Sequence, residues 1–195
     1  FSGTKEAAPA LRLDVARLEN YLAAQVKGFV GLLTVKQFKG GQSNPTFLLS
    51  AGNKKYVMRR KPPGKLLPSA HAVDREYRVI SALAQTDVPV AKSYVLCDDD
   101  AIIGTAFYVM DYVEGRILWD PALPGLQPSE RTAIFNEMNR VIAALHNVDY
   151  AAVGLAGYGK PGSYFSRQID RWGKQYRASE TEKIEAMDNL MAWLP

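Results

Sequence analysis

Residues 56–64 read Tyr-Val-Met-Arg-Arg-Lys-Pro-Pro-Gly, and residues 74–77 read Asp-Arg-Glu-Tyr. The first run predicts a short β-strand that stops at a proline-rich loop. The second lies on a helix predicted from residue 70 to residue 85, because apolar residues recur there at helical spacing. Arg59 ends the strand and Glu76 lies beside the apolar stripe of the helix, so the carboxylate can reach the guanidinium. A cation at a buried strand face requires such a partner or a ligand, since burying an unpaired charge is costly.

Short strands and amphipathic helices surround this pair in a simple order. Strands are predicted at residues 32–38, 46–50, 55–60, 93–97 and 106–113, and helices at residues 11–26 and 70–85. Short turn-rich separators join the first three strands, which predicts an antiparallel meander. Asp98–Asp100 is predicted to be a turn, and a capping box is predicted from Ser179 to Glu182 within a helical C-terminal region. The sequence therefore predicts an α+β protein, with a β-rich half that contains one helix, a linker and an α-rich half.

Composition and charge restrict the class of protein. Hydrophobic residues make up 47% and charged residues 23% of the chain, which is typical of a globular protein. The formal net charge of +4 suits an anionic ligand such as a nucleotide and is too small to indicate a nucleic-acid binder. A lone cysteine, Cys97, favours a reduced, cytoplasmic setting, and one cysteine with two histidines does not favour a metal site. No apolar run approaches the length that crosses a bilayer, so no membrane partner is expected.

Two further segments could contact a ligand. The turn Lys39–Pro45 contains a glycine pair, which lets backbone amides turn toward a phosphate group. The segment Phe107–Gly115 is a strand that leads into a linker, where free backbone groups can hydrogen-bond an adenine edge. Taken alone, each element has an ordinary alternative: a hairpin turn, an edge strand and, for Arg59 to Lys61, a solvated basic edge. Along the chain, the glycine turn comes first, followed by the strand with the cation, the helix with the acid and the strand that leads into the linker. This is the order of a kinase N-terminal lobe.

Short motifs spaced along the whole chain carry a family resemblance. They are Gly-Gly-Gln-Ser-Asn at 40–44, the runs at 56–64 and 74–77 quoted above, Gly-Arg at 115–116, Trp-Asp-Pro at 119–121, Leu-His at 145–146 and the segment from Tyr158 to Gln175. With them the sequence resembles the phosphotransferase enzyme family that includes aminoglycoside phosphotransferases and choline kinases. The set is specific for the branch found fused to acyl-CoA dehydrogenases.

The resemblance implies a protein-kinase-like fold, with an antiparallel N-terminal lobe and the beginning of a helical C-terminal lobe. It implies that ATP binds with its phosphates under the glycine turn, that Arg59 replaces the usual phosphate-binding lysine and that Glu76 orients Arg59. Asp111 would offer its carbonyl and Val113 its amide to adenine, with Met110 beside the base. The residues expected to contact the nucleotide are Gly40, Gly41, Gln42, Ser43, Asn44, Val57, Arg59, Glu76, Met110, Asp111 and Val113.

The catalytic and magnesium-binding motifs of the family do not occur in this sequence. The family carries a His-Gly-Asp loop with a following asparagine, whereas His146-Asn147-Val148-Asp149 lacks an asparagine at that distance. We therefore expect a fragment that binds ATP, is inactive alone, has no catalytic or metal-binding residue, and leaves the magnesium ligands to a missing C-terminal part. The expected domains are an N-terminal helical segment at 1–30, an ATP-binding lobe at 31–114 and a linker with a partial helical lobe at 115–195.

Three functions are compatible with these residues. The first is ATP-dependent phosphorylation of a hydroxyl group on a small molecule, for which the family branch suggests a hydroxyacyl thioester. The second is a non-catalytic nucleotide-binding or regulatory module. The third is a nucleic-acid binder that uses the basic run from Lys54 to Lys65, although Tyr56 is the one aromatic residue in that run that could stack on a base. The family resemblance favours the first.

Overall fold

The architecture of the protein is given by a computed structural model, which describes residues 3–40, 43–64 and 71–194. The strands are β1 (Thr4–Lys5), β2 (Leu33–Phe38), β3 (Thr46–Ala51), β4 (Lys54–Arg60), β5 (Ser93–Cys97) and β6 (Phe107–Asp111). The helices are α1 (Val15–Gln25), α2 (Val73–Leu83), α3 (Asp100–Ile103), α4 (Pro128–His146), α5 (Tyr164–Ser179) and α6 (Glu185–Trp193).

All six strands belong to one antiparallel sheet with the order β1-β2-β3-β4-β6-β5. The predicted meander is confirmed, because β2, β3 and β4 pair in sequence order. The β3–β4 turn requires glycine at position 52, where φ is +58° and a side chain would meet the Val30 carbonyl at 3.0 Å. Next to β4 lies β6 rather than β5, which brings the strand cation and the strand-to-linker crossing onto adjacent strands.

The two faces of the sheet are covered by different helices. One face packs on α1, whose N-terminus is capped by the Asp14 side chain accepting from the Arg17 amide. The core on that side consists mainly of Leu18, Leu22, Phe47, Leu49, Tyr56, Met58, Phe107 and Val109. On the other face, Val73, Tyr77 and Ile80 of α2 pack with Tyr108 and Met110. The helical stripe predicted for α2 is thereby confirmed.

Two local predictions are wrong. The run Asp98–Asp100 does not form a simple turn: the Asp99 side chain accepts from the Ala101 amide and caps the short helix α3. Ser179 does not cap a helix either, because it is the last residue of α5 and its hydroxyl donates to the Gln175 carbonyl behind it. Helix α6 begins later, after Ile184, which provides no side-chain cap.

The chain divides into two compact units, residues 1–154 and residues 155–195. The first holds the sheet, α1, α2, α3 and α4, and the second holds α5 and α6. Helices α4, α5 and α6 contain no buried residue. Among the described helices, none combines the length and the apolar character that a bilayer crossing demands.

Candidate functional site

Arg59 and Glu76 form the ion pair expected from the sequence. The Arg59 Nη2 donates to Glu76 Oε1 at 3.3 Å, and Nε lies 3.0 Å from Oε2 without the alignment of a hydrogen bond. Arg59 is at the end of β4, and Glu76 is in the first turn of α2, so the sheet and the helix each supply one partner. About a third of each side chain is exposed (31% and 34%), which leaves the guanidinium accessible to an anionic ligand.

Glu76 also accepts hydrogen bonds from two other parts of the fold. The Asn44 Nδ2 donates to Oε1 at 2.9 Å, and the Tyr108 hydroxyl donates to Oε2 at 3.0 Å. We call Asn44, Arg59, Glu76 and Tyr108 the Glu76 network. The Asn44 side chain is buried, and its Oδ1 lies 2.8 Å from the Nδ1 of His71. Because both ends of the Asn44 amide are thus engaged, its side chain positions the end of the glycine turn.

Tyr108 occupies its place in the network through strand register. It pairs directly with Arg59 across β4 and β6, and directly paired residues project from the same face of a sheet. Burial raises the pKa of Tyr108, and the neighbouring Glu76 carboxylate raises it further against the opposing effect of Arg59. The phenol therefore stays protonated near neutral pH and acts as a donor to Glu76.

A cavity of about 550 Å³ opens on the same side of the sheet. Four of the residues predicted to contact a nucleotide line it, namely Val57, Met110, Asp111 and Val113. Phe38, Thr46, Ala91, Tyr112, Arg116 and Ile117 also line it. A volume of this size is within the range of small-molecule and cofactor sites. Val57 pairs with Met110, and Arg59 pairs with Tyr108. The cavity residues are therefore two positions along each strand from the residues of the Glu76 network, on the same face of the sheet.

Met110–Val113, which we call the crossing segment, is fixed by neighbouring strands. The Asp111 amide donates to the Lys92 carbonyl at 2.8 Å, and the Asp111 carboxylate accepts from the Tyr94 hydroxyl. Asp111 pairs with Tyr56, and the Tyr56 ring lies in the α1-side core. The Asp111 side chain therefore projects from that face of the sheet, away from the cavity. Within the described part of the chain, the Val113 amide has no hydrogen-bond partner, and the residue is 70% exposed.

The predicted site residues thus fall into two groups on one side of the sheet, apart from the Asp111 side chain, which projects from the other face. Asn44, Arg59 and Glu76 meet in the Glu76 network, while Val57, Met110, Asp111 and Val113 line the cavity. Gly40 and Ser43 lie in the β2–β3 connection, and Ser43 is exposed. Gly41 and Gln42 lie outside the described residues.

The predicted alternative of a solvated basic edge is wrong for Arg60. This residue is 3% exposed, and its Nε donates to the Thr105 hydroxyl at 3.0 Å. Burial lowers the pKa of the Arg60 guanidinium. Lys61 lies 3.9 Å from the Asp74 carboxylate. The basic run therefore does not present one continuous cationic surface, which removes support for a nucleic-acid interface.

Sequence reasoning missed Tyr108, Tyr94 and His71 as contributors to the site. Strand alternation could have identified Tyr108, because it shares a face with Met110 two residues along β6. Tyr94 is the extra residue of a β-bulge, since Ser93 pairs with Met110 and Val95 with Val109. Nothing in the local sequence indicates that bulge.

Two other features of the described residues lie apart from this site. No cluster of three or more His, Cys, Asp or Glu side chains that could hold a metal ion is found in residues 3–40, 43–64 and 71–194. A larger cavity of about 820 Å³ lies in the second unit between α5 and α6, and none of the predicted site residues lines it.

The model of the phosphotransferase enzyme family matches residues 34–195. The chain belongs to this family. A crystal structure of a protein provisionally assigned as an aminoglycoside phosphotransferase from Ralstonia eutropha JMP134 is 60% identical. It superposes with a TM-score of 0.81 over 94% of this chain and 53% of its own chain. The α+β fold and the family predicted from the sequence are both confirmed.

Relatives with acyl-CoA dehydrogenase names confirm the predicted branch. The Arabidopsis thaliana protein named "Probable acyl-CoA dehydrogenase IBR3" is 49% identical over 95% of this chain and 24% of its own length. Acyl-CoA dehydrogenase family member 11 of Rattus norvegicus is 46% identical over 98% of this chain and 25% of its own length. The chain thus spans about a quarter of the length of these curated relatives.

Proposed function

We propose that the chain is the nucleotide-binding part of an ATP-dependent phosphotransferase that acts on a hydroxyl group of a small molecule. The observation that carries the proposal is the common face of Val57, Arg59, Tyr108 and Met110. It sets a cavity of cofactor size beside a cation that is oriented by a carboxylate. Membership of the phosphotransferase enzyme family supports the same function.

At the phosphate end, Arg59 is the group that would bind triphosphate oxygens. A guanidinium keeps its charge and offers a planar fork of donors, so it suits positioning and not proton transfer. Glu76 holds one edge of that fork, and the exposed third of the side chain is free to meet a ligand. The glycine turn, from Gly40 to Asn44, would lie over the phosphates.

At the base end, the crossing segment would bind adenine through its main chain. Val113 is an exposed residue whose amide would donate to the base, and the Asp111 carbonyl would accept from the base. Met110 and Val57 supply apolar walls of the cavity. A site of this kind recognises a flat heterocycle by one polar edge and two apolar faces.

Magnesium and the reacting groups are proposed to come from outside this chain. The ion would neutralise phosphate charge during transfer, and its ligands in kinases are carboxylate and amide side chains. The described residues contain no suitable cluster, and the sequence contains no H-x-D-x-x-x-x-N motif. We therefore expect this chain alone to bind ATP and to transfer no phosphoryl group.

The acceptor is proposed to be a small hydroxylated molecule. Relatives that carry the name acyl-CoA dehydrogenase are compatible with an acyl substrate, for which a hydroxyacyl thioester is the corresponding acceptor. Phosphoryl transfer to such a compound, assayed with a polypeptide that includes this chain and the family's catalytic motif, tests this part of the proposal.

The nucleotide-binding part is tested with the purified chain and the variant Arg59→Ala. Mg-ATP at about 100 times its Kd should stabilise the wild-type chain by about 2.7 kcal/mol. Arg59→Ala should abolish that gain and change the melting temperature without ATP only slightly. The change is small because Asn44 and Tyr108 can still donate to Glu76 in the variant, and because the ion pair that is lost is partly exposed.

Arg140→Ala is the matched control. It also removes an arginine from an Arg–Glu pair, because Arg140 binds Glu137 on the exposed surface of α4. The control should keep the full response to ATP. The proposal fails if ATP does not stabilise the wild-type chain, or if Arg59→Ala lowers stability equally with and without ATP.

A further inference from the structure

Two tyrosines on neighbouring strands each donate to a carboxylate, one at either end of the candidate site. The Tyr108 hydroxyl on β6 donates to Glu76, which holds Arg59. On β5, the Tyr94 hydroxyl donates to Asp111, which belongs to the crossing segment. Neither tyrosine lines the cavity. Each therefore acts on a ligand only through the carboxylate that it holds.

We propose that Tyr108 and Tyr94 are positioning residues that fix the two halves of the nucleotide site independently. Tyr108 sets the phosphate-binding half through Glu76 and Arg59, and Tyr94 sets the base-binding half through the main chain of Asp111. This inference rests on the proposed nucleotide-binding function, and it assigns one tyrosine to the phosphate part and one to the base part of the ligand.

Tyr108 acts on Arg59 by limiting the positions of the Glu76 carboxylate. Oε1 of Glu76 accepts from Asn44 and Arg59, whereas Oε2 receives its one aligned hydrogen bond from Tyr108 among the described residues. The Arg59 Nε is close to Oε2 but misaligned. Without the phenol, the carboxylate can rotate about its remaining bonds, and the guanidinium loses its fixed direction.

The ring of Tyr108 would stay in place when the hydroxyl is removed. It meets the Tyr77 ring edge-on with centroids 6.0 Å apart, and it packs with Val73 in the core between α2 and the sheet. Tyr108→Phe therefore removes one hydrogen bond to a charged group and keeps the packing.

Tyr94 reaches Asp111 because of the bulge in β5. The extra residue bends the strand and re-aims its side chain, which is a common use of bulges beside functional sites. The Tyr94 ring meets the Tyr56 ring edge-on at 5.3 Å, and the Lys92 ammonium lies 5.2 Å from its centroid. The ring is thus contacted from two sides, and its hydroxyl fixes Asp111, whose carbonyl would accept from the base in the proposed site.

The experiment compares the Kd values of ATP and adenosine for the wild-type chain, Tyr108→Phe and Tyr94→Phe. Tyr108→Phe should weaken ATP by about tenfold and leave adenosine unchanged, since a lost hydrogen bond to a charged group corresponds to about that factor. Tyr94→Phe should weaken ATP and adenosine by the same factor, because both ligands carry the base. The ratio of the two Kd values thus changes in the first variant only.

Tyr21→Phe is the matched control. Tyr21 is a partly buried tyrosine like Tyr94, but it packs edge-on against Phe107 on the face of the sheet opposite to Tyr108. This variant should bind both ligands like the wild type, and the melting temperature of each apo variant shows any general loss of stability.

The results separate the two proposals. If the wild-type chain binds ATP and both variants bind the two ligands as tightly as the wild type, the positioning roles are overturned and the proposed function stays intact. Equal weakening of ATP and adenosine by Tyr108→Phe, or unchanged adenosine binding in Tyr94→Phe, overturns the respective assignment. A wild-type chain that binds neither ligand overturns the proposed function and this inference together.

Discussion

The sheet region and the three C-terminal helices differ in how far their apolar residues are buried. Between α1 and the sheet, Leu18, Leu22, Phe47, Leu49 and Met58 are completely buried. Helices α4, α5 and α6 contain no buried residue, and several of their large apolar side chains are about half exposed or more. Amphipathic spacing therefore predicts that a segment is helical but does not establish that its apolar stripe is covered within the same chain.

The largest expected effect separates these two regions by one matched pair of truncations. Leu49→Ala should lower the free energy of unfolding by about 3 kcal/mol, because it removes a completely buried side chain and leaves a cavity. Ile142→Ala on α4 should change it by less than about 0.5 kcal/mol, since 48% of that side chain is already exposed. Urea unfolding followed by circular dichroism measures both. Equal losses would show that the α4 stripe is packed in solution.

A smaller effect is expected at alkaline pH, and it arises in the sheet region. Burial, with the Asp111 carboxylate as the next cause, raises the pKa of Tyr94 to about 12, above the ordinary value of 10. The folded state therefore favours the neutral phenol. Its contribution is fully present below about pH 10 and is lost as the pH rises through about 12.

Tyr94→Phe should accordingly flatten the fall of stability in that interval. The measurement is the urea midpoint at a series of pH values from neutral to about 12, for the wild type and the variant. The pKa values of Tyr21, Tyr56 and Tyr108 are also raised, mainly by burial. The stability of the Tyr94→Phe variant should therefore still fall with pH, but less steeply than that of the wild type. Parallel curves for both proteins would contradict a raised pKa of Tyr94 in the folded state.

The smallest effect is expected at Arg60, the buried cation of the sheet region. Its Nη1 is buried and has no hydrogen-bond partner among the described residues, and the desolvation cost of the charge offsets the bond from Nε to Thr105. Arg60→Met should therefore keep the free energy of unfolding within about 1 kcal/mol of the wild type. Thermal and urea unfolding test this, and a loss as large as that of Leu49→Ala would show that the guanidinium stabilises the strand end.

Local patterns were sufficient to predict the Arg59–Glu76 pair. Strand alternation and helical spacing each depend on near neighbours, and together they fixed the direction of both side chains. The predicted order of strands and the α2 stripe were correct for the same reason. The glycine turn could be placed between β2 and β3, but the internal use of the Asn44 amide depends on His71 and Glu76, which are distant in sequence.

Other features depend on interactions that no short window contains. The bulge at Tyr94 is an irregularity of pairing between β5 and β6, so period-two reasoning cannot find it. Arg60 is charged and is therefore expected at the surface, yet its position on β4 buries its side chain. Ser179 has capping-box spacing, but it is the last residue of α5, and its hydroxyl donates to the Gln175 carbonyl in the preceding turn.

The orientation of Asp111 affects which purine the proposed site would accept. Its carboxylate accepts from Tyr94, so in the proposed site only the main-chain carbonyl of this residue would meet the ligand. A carbonyl can accept from the exocyclic amino group of adenine but not from the corresponding oxygen of guanine. Replacing a side chain cannot reverse the polarity of a peptide group. Discrimination between ATP and GTP would therefore be a property of chain direction, and it would persist through substitutions at residue 111 that leave the backbone in place.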